Sequence, residues 1–95
     1  MEVSWLLWDD HNINHLAERH EVTPAEAEQI VFSETMKGPY RDDRNHVGRL
    51  VFFGYTAERR PLVVVTDRPT PNCEAYVVSA RTANERERKK YLEDS

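Results

Sequence analysis

The sequence predicts an α+β fold with two N-terminal helices, an antiparallel sheet of three to four strands and a C-terminal helix. Three observations carry this. Helix-capping signals and helical apolar periodicity are confined to residues 9–32 and to the tail, and short branched or aromatic runs crowd residues 50–79. The links between those runs are also too short to hold a crossover helix. Helices and strands therefore occupy separate blocks of chain instead of alternating. A length of 95 residues gives one core, so one domain spanning 1–95 is expected.

Residues 4–8 form a short apolar run, expected as an edge strand with Trp5 and Trp8 packed on the core or kept for a protein contact. Asp9 and Asp10 offer an N-cap, and Ile13, Leu16, Ala17 and His20 recur on one helical face, which predicts a first helix over 10–19. The second helix is signalled by Thr23 as cap, Pro24 at the first helical position, Glu26 three residues after the cap, and Val22 placed to staple onto Ala27. It ends near Phe32. Residues 33–47, with Gly38-Pro39 and the run Arg41, Asp42, Asp43, Arg44, lack either periodicity and read as a mobile, solvated loop.

Strands are predicted at 50–56, 62–66 and 75–79. The turn at 57–61 has hairpin length, and the link at 67–72, with Pro69 and Pro71, extends the meander to a third strand. A last helix follows, capped by Thr82 with Glu85 or by Asn84 with Glu87, and runs to about Leu92.

Composition bounds the function. With 39 % hydrophobic and 32 % charged residues the chain is globular rather than disordered. Cys73 is the only cysteine, which excludes an internal disulfide and a thiolate metal cluster, and the N-terminal residues lack a signal-peptide pattern. A cytoplasmic protein with no membrane association is expected. The net charge of −4 argues against a general nucleic-acid coat. That total is asymmetric: residues 1–40 carry two basic and eight acidic side chains, residues 41–95 eleven basic and nine acidic. Any polyanion-binding face is thus expected on the second half, and the first half suits a cationic protein partner.

Two segments carry a family resemblance. WDDHNINHLAERHEVTPAEAEQIVF, residues 8–32, and YVVSARTANERERKKY, residues 76–91, resemble the BrnT toxins of bacterial toxin–antitoxin pairs, and GRLVFFGYTAERRPLVVV between them fits that family's central hairpin. The resemblance implies a RelE-like fold, ribonuclease activity that inhibits translation, and neutralisation by a BrnA-like antitoxin. Glu21 and Arg59 stand where the family commonly has glycine. A non-glycine residue held at positive φ costs roughly 1 kcal/mol or more, so local turns are expected to be strained or altered there.

Metal-independent RNA cleavage needs a base for the 2′-hydroxyl, an acid for the leaving 5′-oxygen, and cations over the phosphate. Arg81, at a strand–helix junction and at a family-matched position, is the first candidate for the phosphate, the alternative being a surface arginine paired with a glutamate on the helix face. Arg88, Glu87 and Tyr91 lie near one face of the last helix, which otherwise reads as a solvated, ion-paired face; together with Arg81, Arg88 and Tyr91 are expected to line one exposed face beside the sheet. His20 is either a proton-transfer group or a side chain resting on the last carbonyls of its helix. Arg49, Arg44 and His46 are candidates for a second RNA-binding edge. His15, five residues before His20, lacks the spacing of a chelating pair, so no metal or cofactor is called for. The competing reading is a non-catalytic protein of the same fold that binds a protein partner. Oligomeric state is left unassigned by the sequence.

Overall fold

The computed structural model describes residues 2–93. Its centre is one sheet of five strands: β1 (Trp5–Leu7), β2 (Lys37–Asp42), β3 (Arg49–Tyr55), β4 (Pro61–Thr66) and β5 (Glu74–Thr82), in spatial order β1-β5-β4-β3-β2. Helices α1 (Asp10–His20) and α2 (Pro24–Val31) precede β2, and a short α3 (Glu85–Glu87) runs into a π-helical turn over Arg88–Leu92. The fold is α+β. The sheet is larger than predicted, and it is mixed.

Both differences lie at the edges: β2 is the strand not predicted, and the expected edge strand β1 supplies the parallel pair. β1 pairs in parallel with β5, Leu6 opposite Ala75, while the remaining pairs are antiparallel. The predicted loop over 33–47 contains β2, which the Gly38-Pro39 pair conceals. An edge strand tolerates proline because its outward side needs no ladder donor. Here the register shifts between Lys37 and Tyr40, and Gly38 adopts φ +119°, open to glycine. β5 also runs longer than the predicted 75–79, since Ala80, Arg81 and Thr82 continue pairing with β4 beyond that run.

The helix caps follow the sequence closely. Asp9 caps α1 in a reciprocal arrangement with Asn12, Thr23 caps α2 with Glu26, and Asn84, not Thr82, caps α3 with Glu87. At the end of α1, Glu21 adopts φ 53°, and its N–H and that of Val22 close back on the Ala17 and Leu16 carbonyls. Arg59 in the β3–β4 turn has φ 69°, so both non-glycine residues at which strain was expected do use the left-handed region. Arg60 donates to the carbonyls of His20 and Glu21 and to the Glu26 carboxylate, fixing the end of α1 to the hairpin. This guanidinium fills the capping role considered for the His20 side chain.

The helices cover one face of the sheet. Leu16, Val22, Ala27, Ile30 and Val31 pack on Leu50, Phe52, Leu62, Val64, Val77 and Ala80. α1 continues along β5 beyond the end of β1, and buried Asn12, 1 % exposed, joins the three elements. Its amide donates to the Leu7 and Val77 carbonyls, each at 3.0 Å, while its oxygen accepts from the Asp9 N–H. Trp8 packs at the margin of this core and its indole N–H donates to Glu28. Trp5, expected on the core or at a protein contact, is not in the core: it is 66 % exposed because its side of the edge strand faces away from both helices.

Candidate functional site

The other face of the sheet has only partial cover. By the pleat it presents Arg49, Val51 and Phe53 from β3, Val63 and Val65 from β4, and Ser79 and Arg81 from β5. The C-terminal segment covers one end, burying Phe53, Val63 and Ala83 against Tyr91 and Leu92. The Tyr91 ring stacks on Phe53 at 4.0 Å between centroids, and Tyr40 of β2 leans on both. What stays open beside this aromatic cluster is a cleft of about 540 Å³ floored by β-branched side chains.

Five cations, Arg41, Arg44, Arg81, Arg86 and Lys90, line the cleft with three carboxylates, Asp42, Asp43 and Glu87. Arg81 lies within β5 opposite Val63, so its backbone is held by the sheet. Both terminal nitrogens of Arg81 donate to Glu87, each at 2.7 Å, in a bidentate pair in which the Arg81 side chain remains 40 % exposed. The Glu87 carboxylate also accepts from the Asn84 N–H. The Arg81 hydrogen bonds, more than its partial burial opposes, hold the Glu87 carboxyl below its usual range. Across the cleft Arg44 is bidentate to Asp42, whose pKa falls to about 2 chiefly through that contact. Arg41 pairs with Asp43, which also accepts from the Gly48 N–H and so shapes the β2–β3 connection. Arg86 and Lys90 have no carboxylate partner among the described residues, and Lys90 lies 5.3 Å from the Tyr91 ring centre.

Of the candidates read from the sequence, the structure brings Arg81, Glu87, Tyr91 and Arg44 to this cleft. Arg88 does not line it. The reason is the winding of the last turn: the Glu93 N–H reaches back five residues to the Arg88 carbonyl, and the residue five before Tyr91, Arg86, shares its face. His20 stands at the end of α1, outside the cleft lining, its ring edge-on to His15 at 5.6 Å. Burial first, then the neighbouring His15, Arg81 and Arg19 charges, disfavour its protonated form. Arg49 lies farther along the same face, with its Nε donating to Asp67, and His46 is exposed in the β2–β3 connection. Sequence reading missed Tyr40, Arg86 and Lys90. Tyr40 was hidden by the Gly-Pro pair, and only a five-residue repeat would have selected Arg86.

Chemically, the cleft offers fixed cations for a polyanion, a carboxylate paired with one of them, and a phenol on an aromatic stack. No protein family matches this chain, and no curated protein or solved structure matches it either. No helix among the described residues is long and apolar enough to cross a membrane.

Proposed function

We propose that this chain is a toxin of the BrnT kind with a RelE-like fold, an endoribonuclease that cleaves RNA in the cytoplasm without a metal and is held inactive by a BrnA-like antitoxin. The observation that carries the reading is the partly exposed, bidentate Arg81–Glu87 pair beside Tyr91 in a cation-lined cleft. An RNA phosphate docking on Arg81 competes with Glu87 for the same two N–H donors. The released carboxylate loses the contact that depresses its pKa and gains basicity where the substrate is bound. Glu87 then accepts the 2′-hydroxyl proton, O2′ forms a bond to phosphorus, and the bond from phosphorus to the 5′-oxygen breaks. The Tyr91 phenol protonates the departing oxygen, and Arg81, with Arg86 and Lys90, balances the charge that accumulates on the phosphoryl oxygens.

The test is incubation of purified protein, freed of any bound partner, with labelled RNA in the presence of a chelator. Cleavage is expected, and Arg81→Ala is expected to lower its rate about 100-fold or more. Intact RNA beside folded protein sinks the enzymatic claim.

Trp5, exposed on edge strand β1, and the acidic first forty residues favour a second reading, a non-catalytic protein that binds a cationic protein partner. A neighbouring gene for a short helical protein with a DNA-binding segment speaks for the toxin.

A further inference from the structure

Beyond the cleft, the open face continues toward the start of β3 and the end of β4, where a second groove of about 350 Å³ lies between the sheet and α1. Its walls are His11 and His15, one helical turn apart on α1, with Tyr76 and Val78 of β5. Arg49 and Asp67 close its far end. The Tyr76 hydroxyl is fixed by donating to Asp9 at 3.0 Å. Arg49 is held differently from the cleft arginines. Its side chain is only 20 % exposed, yet the side chain's one hydrogen bond among the described residues is Nε to Asp67 at 3.3 Å. Its two terminal nitrogens donate to no group among them, and Asp42, its cross-strand neighbour, acts on it only at longer range.

Resting on the ribonuclease reading, we infer that this groove is a second nucleotide subsite on the same RNA strand, in which a base stacks against His11, His15 and Tyr76 and its phosphate takes the free guanidinium edge of Arg49. Three π-faced side chains beside one underused arginine match single-stranded nucleic acid, whose bases stack on aromatic and imidazole rings without regard to sequence. Among the described residues no three His, Cys, Asp or Glu side chains come together as a metal site, so the two histidines are assigned as stacking surfaces and not as ligands. The groove volume suits one small planar ligand. Along β4, Val63 opposite Arg81 and Asp67 beside Arg49 are four residues apart, or roughly 13 Å of strand. That separation is longer than a single nucleotide step along an extended strand, so the two sites hold nucleotides that are not adjacent.

The experiment measures binding of fluorescein-labelled 2′-O-methyl oligouridines of two, four, six and eight residues, which resist cleavage. Affinity is expected to climb about tenfold or more between the shortest and the six-residue probe and then level. In His11→Ala/His15→Ala and in Arg49→Gln that climb is expected to shrink to within about threefold, and Arg49→Gln is expected to reduce the salt dependence by about 0.7 in the log–log slope. Thermal unfolding checks that both variants fold. If short probes bind and longer ones bind no better, or if neither variant alters the climb, the second subsite is wrong while the ribonuclease reading stands. If no probe of any length binds the native protein, the ribonuclease reading falls and takes this inference with it.

Discussion

The two faces of the sheet are built from the same strands and share almost nothing else. Facing α1 and α2, successive positions of β3 and β4 are Leu50, Phe52, Leu62 and Val64, all closed from solvent. Facing away, the intervening positions are Arg49, Val51 and Val65, which keep partial exposure, and cover is complete only over Phe53 and Val63. Because side chains alternate along a strand, one stretch of chain supplies a closed apolar support on one side and the floor of the open cleft on the other. The two sides use different residues of the same strand, and substitutions can separate them.

The largest effect is expected at Phe52. Truncation to alanine leaves a cavity beneath both helices and should cost about 3–5 kcal/mol, whereas Val65→Ala on the open face should cost about 1 kcal/mol. Urea unfolding of the two variants makes the comparison, and equal losses would end the division of labour between faces. Next comes Asn12→Leu. It removes an amide that serves the buried Val77 carbonyl and the part-buried Leu7 carbonyl, so a loss of about 2–3 kcal/mol is expected even though leucine adds apolar surface. A neutral or stabilising result would show that the β1 edge closes without that amide.

The smallest stability effect is expected on the open face, from Glu87→Gln, at about 1 kcal/mol or less near neutral pH because the Arg81 pair is partly exposed. Its pH dependence is the sharper measurement. The folded Glu87 pKa is depressed, so the contribution is complete above the ordinary carboxylate range near pH ~4.3 and is lost as pH falls through the lowered folded value. Melting temperatures of native and variant protein should therefore differ at pH 7 and converge in acid. A difference that stays constant with pH would mean that the carboxylate acts by packing and not by charge.

The covered face was legible because it obeys strong local rules. Thr23-Pro24 with Glu26 announced α2, and the apolar runs at β3 and β4 fixed the hairpin. The edges were legible only in part. The apolar run at 4–8 marked β1 but not its parallel pairing with β5, whereas β2 carries Gly38 and Pro39, lacks the composition that marks a strand, and takes its identity from β3. The site divided in the same way. Arg81 and Glu87 could be placed near one another from a strand end and a cap, but Arg88 was preferred over Arg86 because α-helical spacing was assumed where the chain winds as a π turn. His11 and His15 carried a usable signal in their four-residue spacing, and their role as a wall emerged only with the course of α1 along β5.

Glu87 occupies two posts at once, as the residue that completes the α3 cap and as the partner of Arg81. Occupancy of Arg81 and firmness of the C-terminal segment are consequently linked quantities, and by reciprocity each must alter the other by the same free energy. An anion that draws Arg81 away changes the protection of the Glu87 and Arg88 amides against hydrogen exchange. A protein that clamps the segment in turn changes the affinity for that anion, so this chain could be controlled from its tail with the cleft itself left uncovered.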